Sequence, residues 1–83
     1  MKNKYNFKPE INRAVQSALE AKRCGSLDGN SVELYAIDHF YRSEKFQKLL
    51  DTATDHNVIR GLEEEYFRVR MIIVNKLQKE LIA

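Results

Sequence analysis

From Asn57 to Ile82 the chain runs NVIRGLEEEYFRVRMIIVNKLQKELI, its longest stretch with neither a proline nor a cluster of turn residues. In a chain of 83 residues an element of that length constrains everything that packs on it. On a helix, Val58, Leu62, Tyr66, Val69, Ile73 and Leu77 recur three or four apart and share one stripe. Glu63, Glu64 and Glu65 stand toward its start and Lys76 and Lys79 toward its end, the order that the helix dipole favours. One turn breaks the pattern. Met71, Ile72, Ile73 and Val74 are consecutive and would point to all sides of a helix. Two coverings are open: two neighbouring helices of one bundle, or one neighbour and a partner chain. A strand is a third reading, because Phe67 to Val74 is rich in strand-favouring residues. The glutamates before it and the Leu-Gln-Lys-Glu-Leu after it favour the helix. Gly61 costs a helix about 1 kcal/mol against Ala, or else marks a delayed start.

Something must cover that stripe, and the rest of the chain supplies it. Pro9 suits the first turn of a helix, where its missing N–H costs nothing. Ile11, Ala14, Val15, Ala18 and Leu19 then give a clean helical stripe, with Lys22 and Arg23 in the last turn and Gly25 placed to end it. Ala14 and Ala18 are small enough to admit a second helix closely, and we expect them, with Leu19, to pack on Leu62, Val69 and Ile73. Cys24 to Asn30, CGSLDGN, is the one concentrated turn signal. Asn30 can cap a second helix, with Glu33 completing the capping pattern. There Leu34, Ile37 and Tyr41 make one stripe and Ala36 and Phe40 a flanking one. The phase slips at Arg42-Ser43, after which Phe46, Leu49, Leu50 and Ala53 form a new stripe. Ser43 can cap a third helix, and one bent helix over the whole segment is the alternative. Asp55 or Asn57 can cap the last helix. The expected fold is all-α: one domain over residues 1–83, a small bundle of three to four helices with a long C-terminal helix, and an N-terminal arm over residues 1–8. Tyr5 and Phe7 in that arm are expected to fold back on the body, because aromatic rings are costly to leave in water.

Composition narrows the class. The single cysteine, Cys24, excludes an internal disulfide and suits a reducing cytoplasm. The hydrophobic share, 43%, and the charged share, 31%, are those of a folded globular domain. The longest uncharged apolar run, the four residues from Met71, is too short to span a membrane, and no apolar segment follows the basic start to make a signal peptide. The net charge of +2 divides unevenly: +4 up to Arg23, −3 from Cys24 to His56 and +1 beyond.

No pattern reaches a specific chemistry. The Gly-rich turn lacks the lysine and the preceding strand of a phosphate-binding loop. A lone thiol at Cys24 needs a placed base to become a nucleophile. His39 and His56 have no ligand-type residue one helical turn away, so no metal site and no cofactor site are expected. Ser31 or Ser43 could be combined with His39 on paper, but almost any chain allows that. Two features point to binding instead. Lys2, Lys4, Lys8 and Arg13 make a basic end interleaved with Tyr5 and Phe7, a possible nucleic-acid contact. Tyr35, Phe40, Tyr41 and Phe46 put half of the eight aromatic residues into one short segment. Phe40 and Tyr41 lie about 100° apart on a helix, so they cannot share a stripe. With Arg42 beside them and Ile72 on the last helix, these residues are the expected partner interface. The expected function is that of a small non-enzymatic regulator, inhibitor or adaptor that binds a protein partner and self-associates as a homodimer. The alternative is a nucleic-acid-binding accessory protein that uses the basic arm.

Overall fold

The computed structural model describes residues 5–82. Four helices follow in order: α1 (Lys8–Cys24), α2 (Val32–Tyr41), α3 (Glu44–Thr52) and α4 (His56–Ile82). No strand occurs among the described residues. Phe67 to Val74 is therefore helical. At about 1.5 Å per residue, the 27 residues of α4 span about 40 Å, the long axis of the molecule.

Local chemistry sets each boundary. Pro9 lies in the first turn of α1, and the Ile11 N–H donates to the Phe7 carbonyl at 2.8 Å. The helix thus begins at Lys8, and the arm ends at Phe7 rather than one residue later. Gly25 closes α1 at φ 73°, a conformation that glycine adopts without strain. The Ser26 N–H reaches Ala21 O and the Gly25 N–H reaches Lys22 O, so the last carbonyls are satisfied. Asp28 (φ 53°) and Gly29 (φ 82°) then make a tight turn closed by the Asn30 N–H on Leu27 O at 3.0 Å. Helical backbone begins at Val32, so the cap of α2 is Ser31 rather than Asn30, and its hydroxyl accepts from the Leu34 N–H at 3.1 Å. Ser43 caps α3 by accepting from the Phe46 N–H, and α2 and α3 are separate helices. At α4 the cap is Asp55, whose Oδ1 accepts from the Asn57 N–H at 2.8 Å. The helix runs unbroken through Gly61.

One apolar core joins all four helices and the arm. α1 lies mainly on α2, and α4 packs against both. Ala14, Ala18 and Ala36 are wholly buried at 0% exposure, which lets the α1 and α2 backbones approach closely. Leu62, Val69, Ile73 and Leu77 supply the α4 side of the core, while Leu19 is only half-buried. α2 turns Val32, Ala36, Ile37 and Phe40 inward and leaves Leu34 and Tyr41 outside, so its buried face is the flanking stripe. Phe7 does fold back. It meets Phe40 edge-on at 5.2 Å and Phe46 at 5.8 Å, with Tyr5 stacked behind it. The Lys45 ammonium lies over its ring and donates to the Asn6 carbonyl. In the all-round apolar turn, Ile73 is buried, Ile72 and Val74 are half-buried, and Met71 is exposed.

Two stability changes follow. Phe7→Ala empties the centre of the aromatic cluster and is expected to cost about 3–5 kcal/mol in urea unfolding. Gly61→Ala places a methyl group in open space, with nothing within 4 Å. It is expected to raise the melting temperature, by a gain of about 0.5–1 kcal/mol in helix propensity.

Candidate protein-docking groove

Leu34, Asp38 and Tyr41 stand along the outer side of α2 at helical spacing. Tyr66 of α4 faces them across a groove of about 510 Å³, whose walls also include Asn30, Tyr35 and Ile37. Tyr41 and Tyr66 meet edge to face at 5.5 Å, and both rings rest on Phe46, at 5.7 and 5.9 Å. The floor of the groove is thus an outward extension of the core. Leu34 is 59% exposed and Tyr41 43%. Beyond Tyr66, α4 exposes Phe67 at 59% and Met71 at 63%. The Arg70 guanidinium lies over both the Tyr66 and Phe67 rings, at 5.8 and 5.7 Å.

Charges frame this surface. Arg42 pairs with Asp38 at 3.1 Å on the rim, both well exposed, so the pair orients the rim more than it stabilises the fold. On α4, Arg68 holds Glu65 through two bonds of 2.9 and 2.7 Å. That hydrogen bonding raises the Arg68 pKa, against the lowering that comes with partial burial.

The structure divides the residues singled out as an interface. Tyr41 and Arg42 are exposed, and Tyr35 is half-buried in the groove wall. Phe40 at 0% and Phe46 at 2% are core residues and present no surface, which corrects their assignment to an interface. The aromatic crowding in this segment comes from one ring set that packs inward and another that lines the groove. Ile72 is half-buried against the core and does not line the groove. Three exposed apolar residues were missed. In the sequence Leu34 shares a stripe with the buried Ile37, Phe67 begins the strand-favouring stretch to Val74, and Met71 begins the all-round apolar turn. The helical angles already set Phe67 about 100° from Tyr66 and off the core stripe.

Of the basic end, Lys2 and Lys4 lie outside the described residues. Lys8 opens α1 and is exposed. Arg13 is 4.0 Å from Glu10 and shares a shallow cleft with Lys45 and Lys48, but also with Glu10 and Glu44. Elsewhere, Ser17 Oγ and His39 Nε2 are hydrogen-bonded at 3.2 Å across the α1–α2 seam. His39 Nδ1 has no partner among the described residues, so no carboxylate orients the ring as a catalytic triad would require. Cys24 is exposed. No group of three or more His, Cys, Asp or Glu side chains converges in a metal-binding arrangement among the described residues.

No protein-family model, no curated protein and no solved structure matches this chain. Ser17→Ala removes the one side-chain hydrogen bond across the α1–α2 seam among the described residues. It is expected to cost about 0.5–1.5 kcal/mol in urea unfolding, with helicity by circular dichroism unchanged.

Proposed function

We propose that the protein acts without catalysis, by binding another protein through the α2–α4 groove as a regulator, inhibitor or adaptor. One observation carries this reading: Leu34 and Tyr41 stand exposed on the α2 wall of a groove whose α4 wall is the half-buried ring of Tyr66. Scattered exposed leucines are ordinary, but a contiguous apolar patch with a charged rim marks an interaction surface. Tyrosine, phenylalanine, methionine and arginine are also the residues enriched at interface centres. Because Phe46 supports Tyr41 and Tyr66 from below, the groove needs little ordering when a partner arrives. An amphipathic helix laid between the two ridges fits this shape, and a second copy of the chain is one such partner. No helix among the described residues is long and apolar enough to cross a membrane. We place the protein in the reducing cytoplasm, a reading supported by its lone, exposed cysteine.

The nucleic-acid reading is second. It is favoured by the meeting of Arg13, Lys45 and Lys48 in one cleft and weakened by Glu10 and Glu44 between them. One experiment separates the two. A photoreactive amino acid at Leu34, used in nuclease-treated lysate, is expected to capture a protein partner. Leu34→Glu is expected to weaken that partner's binding about tenfold or more while leaving the melting temperature unchanged, because the side chain is exposed. Binding that survives Leu34→Glu, or that disappears with nuclease and falls steeply with salt, would replace the groove with the basic cleft.

A further inference from the structure

The outer face of α4 bears a second apolar stripe. Leu62, Val69, Ile73 and Leu77 are buried on one side of the helix. Phe67 and Met71 are exposed, and the half-buried Val74 continues their line at helical spacing. A helix that is apolar on two sides is usually covered on both. The charges beside this stripe indicate what covers it.

Glu63 and Arg70 are seven residues apart, two helical turns or about 10.5 Å, and they flank Phe67 on the same side of the helix. The ion pairs among the described residues join Glu10 to Arg13, Glu20 to Arg23, Asp38 to Arg42 and Glu65 to Arg68. Glu63 and Arg70 are in none of them. Arg70 is instead held over two aromatic rings, which fixes its position beside Phe67.

We propose that a second copy of this chain docks antiparallel on the outer face of α4, about a two-fold axis beside Phe67, with Glu63 of each copy paired to Arg70 of the other. The proposal rests on the reading of the protein as a protein-binding module but uses a different face. The pattern is self-complementary. A two-fold axis midway between residues 63 and 70 brings each acid level with the other copy's base and sets the two Phe67 rings against each other. A parallel arrangement puts glutamate beside glutamate and arginine beside arginine. In this antiparallel arrangement the helix dipoles also oppose. A face that is its own complement is the property of a symmetric interface. Arg70 and Tyr66 lie on the groove side of α4, so both α2–α4 grooves open on the same side of the dimer. The contact is a single helix face, which places the interface in the small, weakly associating class.

Sedimentation equilibrium of the full chain, from about 1 to about 200 µM, tests this. A concentration-dependent dimer is expected. Glu63→Arg and Arg70→Glu should each weaken it about tenfold or more, because like charges then face each other. The double variant Glu63→Arg/Arg70→Glu should restore it. Circular dichroism controls for folding, and Phe67→Glu, at an exposed position, should abolish the dimer without loss of helicity. Leu34→Glu should dimerise normally, so failure of the groove and failure of this face are read separately. A monomer at every concentration, a dimer insensitive to both charge reversals, no recovery in the double variant, or loss of the dimer in Leu34→Glu would each overturn the proposal.

Discussion

Three phenylalanines from three segments meet at one point, and the rest of the fold is arranged around that contact. Phe7 comes from the arm, Phe40 from the end of α2 and Phe46 from the first turn of α3, with ring centroids 5.1–5.8 Å apart. Ring pairs at such distances add about 0.5–1.5 kcal/mol each beyond the area they bury. In a chain with one cysteine and a small core, this cluster performs the tying that a disulfide would otherwise supply. It also explains why the chain can turn sharply at Arg42-Ser43. The turn brings Phe46 back onto Phe40, and the Ser43 hydroxyl satisfies the backbone exposed there.

Much of the backbone was legible in the sequence because its signals are local. Pro9, Gly25 and Ser43 each act within a few residues of themselves, and α1 and α4 have one dominant apolar stripe apiece. α2 resisted. Its ten residues carry apolar groups on several sides, and two overlapping stripes were available. The choice is made in three dimensions: Ala36 and Phe40 provide a small residue where α1 comes close and a large one where the aromatic cluster needs filling. Helical angles tell which residues share a side, but not which side turns inward. For the same reason the candidate site was legible as an aromatic cluster with an adjacent arginine, yet with two wrong members. Phe40 and Phe46 went to the core, while Leu34, Phe67 and Met71 took the surface. The shift from Asn30 to Ser31 as the cap follows from where the turn through Asp28-Gly29 closes, at Asn30, so that helical backbone begins only at Val32.

Core and surface are continuous here. Phe46 packs inward on Phe7 and Phe40, and outward it supports Tyr41 and Tyr66. The groove therefore rests on the same ring that ties the core together, and the outer stripe of α4 joins it at Tyr66, whose ring meets Phe67 at 5.9 Å.

α3 is the weak link in this arrangement. It has nine residues, one fully buried side chain and limited contact with α2 and α4. Its backbone amides should exchange with solvent faster than those of α1 and the middle of α4, because it buries fewer side chains, Phe46 fully and Leu49 and Leu50 in part. Each such opening would withdraw the support beneath Tyr41 and Tyr66. The groove would then exist only for the fraction of time that α3 is closed, and the lifetime of one short helix would set how readily the surface accepts a partner.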